Sequence, residues 1–193
     1  LKEECGYYDI VDEKAKLVQK SNLRDSVLEH MFRIMDYLLG NRDHDLTRCV
    51  CALYGDWNDA LDGLGVSKDP NREYGTGVSV MATLQVYQNL LEMLELLERL
   101  DAGKYENYII KYREALNEIE NGLMEYGVIQ NEMGEKRIIH GWGDERSYLV
   151  AGFNDPDGKP RDGLTSNAFW VLSGLYEKDT SIKETILNAF ERL

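Results

Sequence analysis

Residues 79–122 read SVMATLQVYQNLLEMLELLERLDAGKYENYIIKYREALNEIENG, and the fold turns on whether this stretch is one helical hairpin. Leu84, Tyr87, Leu91, Leu94 and Leu97 recur at helical spacing, and the apolar residues spread over more than one face. That breadth predicts a helix over 79–100 buried between neighbours. Asp101-Ala102-Gly103 supplies a stop, and residues 105–122 carry Ile109, Tyr112, Leu116 and Ile119 as a return helix. A tight helical hairpin follows.

Working outward, the same signals repeat. SVLEHMFRIMDYLL at 26–39 opens with a capping box, Ser26 with Glu29, and sets Val27, Met31, Ile34, Met35 and Leu38 at helical spacing. LTSNAFWVLSGLY at 164–176 and SIKETILNAFERL at 181–193 form another pair, the second again with a capping box at Ser181 and Glu184. Between the pairs, KRIIHGW and RSYLVAGF, separated by residues 143–145, read as two short strands, and NDPDGKP after them is dense in turn residues. The expected fold class is mainly α, helical hairpins with one short β-hairpin, in a single segment covering 1–193.

Composition limits the function. A chain of 193 residues, 43% hydrophobic with 3 prolines, can bury a sizeable core and is not a disordered sequence. Its net charge of −13 argues against a general nucleic-acid or anionic-membrane surface, because no basic stripe exists to release phosphate counterions. A neutral partner such as a sugar fits better. No apolar run approaches a membrane span, and LKEECGYYDI lacks the layout of a signal peptide, so a cytoplasmic protein is expected. The chain does not begin with Met and its last helix runs to the final residue without a stop, as expected for a piece of a larger enzyme.

Metal and thiol chemistry find little support. Cys5, Cys49 and Cys51 are odd in number, and Cys49-Val-Cys51 lacks the spacing of zinc and redox motifs. His30, His44 and His140 are scattered and read as structural or surface residues. In GDWNDALDGLG, Asp56 and Asn58 suit the first positions of a calcium loop, but Ala60 and Leu61 do not. No metal and no organic cofactor is expected.

The segment from Gly40 to Gly77 is long and mostly irregular, which is where function concentrates. Within it lie Asp56, Trp57, Asn58, Asp59 and Asp62. An indole offers a flat apolar face to the C–H side of a pyranose, and Asp and Asn hydrogen-bond its hydroxyls. Cleaving a glycosidic bond further needs a carboxyl kept protonated beside the leaving oxygen. On a helix, Asp56 and Asp59 would stand roughly 5–6 Å apart, whereas an inverting pair of carboxylates needs about 6.5–9.5 Å. One acid and one sugar-binding carboxylate is the more natural division. Gly75-Thr76-Gly77, ahead of the helix at 79, is either a simple helix entry or a cradle for a phosphate at the helix N-terminus.

Beyond the loop chemistry, five stretches stand in a telling order: SVLEHMFRIMDYLLGN, GDWNDALDGLG, GTGVSVMATLQVYQNLLEMLELLE, YLVAGFNDPDGKP and SNAFWVLSG. In order and approximate spacing they resemble the catalytic domain of glycoside hydrolase family 94, the cellobiose and chitobiose phosphorylases. The resemblance implies part of an (α/α)6 toroid, of which this chain would be a central portion. It implies inverting phosphorolysis of a β-linked disaccharide, with inorganic phosphate as co-substrate and Asp59, the Asp directly after Asn58, as general acid. Trp57, Asp56 and Asn58 would line the sugar subsite. The family's aromatic-Tyr-x-Arg pattern keeps its Tyr here as Tyr148 and lacks its Arg. The resemblance also places phosphate-binding residues outside this chain, so the isolated 193 residues are expected to be inactive. Apolar helix faces left open in a partial toroid predict a homo-oligomer. The competing readings are a toroid glycoside hydrolase, which would need a separate base, and a non-catalytic carbohydrate-binding or helical scaffold.

Overall fold

The computed structural model describes residues 1–53 and 64–192, which separate into two compact units, Leu1–Gly40 and Asn41–Leu193.

In the first unit, β1 (Glu4–Asp12) pairs antiparallel with β2 (Leu17–Ser26), and α1 (Val27–Gly40) follows without a break. The connection is a tight turn in which Asp12 Oδ1 accepts from the Ala15 amide at 2.9 Å and Lys16 adopts a left-handed φ of 52°. Tyr7 ties strand to helix. Its ring stacks on His30 with centroids 4.2 Å apart, Arg33 lies over its face, and its hydroxyl donates to Asp25 Oδ2 at 2.8 Å. The Glu29 amide donates to Ser26 Oγ at 3.2 Å, so the helix starts where its cap signal lies. Leu28, Phe32, Met35 and Leu39 form its buried stripe.

The second unit is organised by α2 (Val80–Asp101) and α3 (Glu106–Tyr126), which pack together as the periodicity predicts. Ser79 caps α2 by accepting from the Ala82 amide at 3.1 Å. Leu84, Tyr87, Leu94 and Leu97 of the expected stripe are buried and Leu91 is exposed, so the contact face is narrower than the sequence implied. Ile109, Tyr112, Ala115, Ile119 and Leu123 complete the core from α3. Beyond it, β4 (Val128–Gln130) and β5 (Lys136–Ile138) make a small hairpin. α4 (Leu164–Leu172) packs on α2, ends at Gly174 with a left-handed φ of 72°, and leads through a 3-10 turn into α5 (Thr180–Arg192). Asp179 rather than Ser181 starts that last helix, its Oδ1 accepting from the Ser181 amide at 2.8 Å.

A three-stranded antiparallel sheet sits at the N-terminal end of α2. Its order is β3 (Val78–Ser79), β6 (Gly141–Trp142), β7 (Leu149–Val150). A bridge between Cys51 and Val78 extends it on the β3 side. Glycines set its closeness: a Cβ on Gly141 would stand 2.1 Å from the Val78 carbonyl oxygen.

The mainly α toroid is not what forms. Among the described residues the chain is 47% helical and 19% strand, with five helices and three small sheets. Two causes are visible. Residues 4–26, to which the sequence reading assigns no element before the cap at Ser26, pair with each other as a long hairpin ahead of α1. The KRIIHGW run also divides between two sheets, with Lys136–Ile138 joining β4 and Gly141–Trp142 joining β3 and β7.

Candidate functional site

Of the residues singled out by sequence, Asp56, Trp57, Asn58 and Asp59 lie outside the described residues, and Tyr148 lies within them. The site is therefore built from the two arms that border residues 54–63 in sequence and from what holds those arms.

The first arm, 41–53, folds back on itself around Asp43. Its carboxylate accepts from the amides of Asp45, Leu46 and Thr47 at 3.2, 3.3 and 3.0 Å and from the Thr47 hydroxyl at 2.9 Å. Arg48 then turns the chain in a left-handed conformation, φ 58°, and Val50 and Cys51 run along β3. The Val50 amide donates to Thr83 Oγ1 at 2.9 Å, and Thr83 in turn donates to the Ser79 carbonyl, so α2 anchors this arm directly.

The second arm, 64–77, carries the Gly-Thr-Gly entry to β3 and α2. Gly75 donates to the Gly65 carbonyl at 2.9 Å, and Gly77 lies so close to Leu64 that a Cβ there would meet the Leu64 carbonyl oxygen at 2.0 Å. The Ala52 amide also donates to Gly77 at 2.8 Å. Ala52 and Leu64, near the two borders of 54–63, are thus both held at Gly77.

Both arms meet the turn between β6 and β7. There Glu145 and Arg146 are consecutive non-glycine residues at φ 54° and 55°, a conformation that side chains disfavour and that persists only where surroundings impose it. The surroundings are specific. Asp144, only 1% exposed, accepts from the Lys68 amide at 2.8 Å, the Thr76 amide at 2.6 Å and the Thr76 hydroxyl at 3.0 Å, with Arg72 at 3.4 Å. The Thr76 hydroxyl oxygen accepts in turn from the Glu145 amide at 2.9 Å. Arg146 reaches the other arm and pairs with Asp43 at 3.3 Å. The glycine-rich entry considered as a phosphate cradle thus receives an anion from its own chain.

Charge follows from this. Burial pushes the Asp144 carboxyl up, but the amides of Lys68 and Thr76, the Thr76 hydroxyl and Arg72 outweigh it and hold the group below the ordinary carboxylate range. Asp43 behaves the same way: burial raises it, and the donors from Thr47, Leu46 and Asp45 bring it lower. Both are fixed anions near neutrality, suited to holding loops and unsuited to donating a proton.

Tyr148 stands in the same turn, half-buried, with its carbonyl accepting from the Gly143 amide at 3.0 Å and its ring against Gly143. A Cβ on Gly143 would stand 2.0 Å from that ring, so glycine is what lets the tyrosine lie there. Just before β6, His140 is buried, with Nδ1 3.0 Å from Ser166 Oγ, and its carbonyl accepts from the Val80 amide. It is a structural histidine between the sheet and α4. Among the described residues no group of three or more His, Cys, Asp or Glu is placed to hold a metal ion, and no helix is long and apolar enough to cross a membrane.

Asp43 and Asp144 are the residues that the sequence did not point to, whereas Thr76 lay in an element that it did. The Gly-Thr-Gly element was the available signal, open from sequence to two readings, a simple helix entry or a cradle for an external phosphate. The chain matches no protein-family model and no curated protein.

Proposed function

We propose that this chain is part of an inverting glycoside phosphorylase, cleaving a β-linked disaccharide with inorganic phosphate to give a sugar 1-phosphate. The observation that carries the reading is the GDWND stretch at 55–59, standing in order with the other four stretches that resemble such enzymes. The anchoring of both bordering arms at Gly77 and at the Asp144 turn, which also carries Tyr148, is consistent with a stretch whose placement matters.

In this reading a phosphate oxygen attacks the anomeric carbon from the face opposite the leaving sugar. The glycosidic C–O bond breaks, its electron pair goes to the leaving oxygen, and Asp59 supplies the proton there. The configuration inverts in one displacement, and no second catalytic carboxylate is required because phosphate is itself the nucleophile. Trp57 stacks on the sugar, Asp56 and Asn58 hydrogen-bond its hydroxyls, and Tyr148 contributes to the same subsite. Sugar and phosphate are the partners; nucleic acid and membrane are not, and the compartment is the cytoplasm.

Dependence on inorganic phosphate tests the reading. With the natural full-length protein and a panel of β-linked disaccharides, sugar 1-phosphate should form only when phosphate is present. Cleavage at the same rate in phosphate-free buffer, yielding two free sugars, would replace it with a hydrolase.

A further inference from the structure

The turn at 144–146 does more than close a β-hairpin. Three of its consecutive residues each reach a bordering arm: Asp144 takes Lys68 and Thr76 of the second, Glu145 takes the Thr76 hydroxyl and Arg72 of the second, and Arg146 takes Asp43 of the first. Two of the three hold a left-handed backbone to do so. Strain of this kind, set at a node where two long loops meet, marks a geometry that the fold maintains against local preference.

We propose that Asp144 is a positioning residue: with its buried carboxylate as the node, the turn clamps arms 41–53 and 64–77 in one fixed spacing, and the reaction depends on that spacing. The kinetic part of this inference rests on the phosphorylase reading, whereas the clamp itself does not. The chemistry of the node supports the assignment. A carboxylate accepts from all the donors that converge on it, while an isosteric amide offers one oxygen and turns two N–H groups toward the remaining donors. Gly75 matters too, since a Cβ there would lie 2.7 Å from the Val66 carbonyl oxygen and 2.8 Å from the Asp144 carboxyl, leaving no room for a side chain at the node.

Asp144→Asn and the milder Thr76→Val, made in the natural full-length protein, test it with two separate readouts. The first is amide hydrogen exchange at residues 65–77, which reports local opening whether or not the protein has any activity. Asp144→Asn should raise exchange at Lys68 and Thr76 by about tenfold or more, as expected for loss of charge-assisted hydrogen bonds, while α2 and α3 remain better protected than these amides; Thr76→Val should give a smaller rise at the same amides. The second is the split of kinetic constants. A displaced arm should lower kcat by about 10²-fold, the scale of a misplacement of roughly 1 Å, with KM for the sugar changed only a few-fold. Unchanged exchange at both amides in both variants would overturn the clamp. Increased exchange with wild-type kcat would overturn the positioning role, and a global loss of protection in Thr76→Val would make the node merely structural. A wild-type protein that handles no sugar phosphate would sink the phosphorylase reading and with it the dependence of the reaction on the spacing, while the exchange result still decides the clamp.

Discussion

The Thr76 amide and Asp144 Oδ1 meet at 2.6 Å although they stand 68 positions apart in the chain. One carboxylate thereby settles the glycine-rich entry to α2 and the strained turn between β6 and β7 together. The group is buried and surrounded by donors, so its neutralisation should register in stability as well as in local order.

Asp144→Asn should destabilise the fold by about 1.5–3 kcal/mol near neutral pH, the range for hydrogen bonds to a charged group. The sign of the pH dependence follows from the lowered carboxyl. Its contribution is present in full above the unfolded value near 3.9 and is lost as pH falls through the still lower folded value. Denaturant titrations should therefore show a constant gap between wild type and Asp144→Asn from about pH 5 to 8, closing below about pH 4. A gap that widens on acidification would contradict the assignment.

Gly122→Ala tests the packing of α3 against the first arm. Alanine is favoured over glycine in a helix interior by about 1 kcal/mol, but its Cβ would stand 1.9 Å from the Thr47 carbonyl oxygen. Overpacking against backbone costs about 1–3 kcal/mol, so the clash should win and Tm should fall. A rise in Tm would mean that the 43–48 loop yields freely.

Thiol reactivity should separate the three cysteines. Burial pushes Cys49 up to about 12 and Cys51 up to about 11, with the Asp43 charge adding to both, while Cys5 is exposed. Alkylation near pH 8 followed by mass spectrometry should label Cys5 first, Cys51 slowly and Cys49 only on unfolding. Rapid labelling of Cys49 in the native protein would contradict the burial of the first arm.

The legible part of the fold was the part with local cause. α2 and α3 announce themselves by periodicity, and α1 by periodicity together with its cap at Ser26. The β1–β2 hairpin did not, because irregularities between Gly6 and Tyr8 and between Ile10 and Asp12 break the alternation, and Tyr8, Ile10, Val11, Leu17 and Val18 are all exposed. A strand without a buried face has no in-and-out pattern to read. The Asp144 node was equally hidden. Its partners are backbone amides brought from another part of the chain by the sheet, and nothing near residue 144 names them.

Those same exposed side chains of the hairpin predict self-association, a homo-oligomer held in part through this apolar surface. Light scattering at micromolar concentration should give a mass above the monomer, reduced by Ile10→Lys with Val18→Lys. A monomeric mass for the wild type would count against it.

The most direct test of the phosphorylase reading is phosphate release from α-glucose 1-phosphate and other sugar 1-phosphates with a panel of sugar acceptors, using the natural full-length protein and its Asp59→Asn variant side by side. Acceptor-dependent release by the wild type is expected, with a loss of about 10²–10⁴-fold in the variant, as for removal of an essential proton donor. Release by Asp59→Asn at the wild-type rate, or no release by a folded wild type with any sugar phosphate, would contradict that reading.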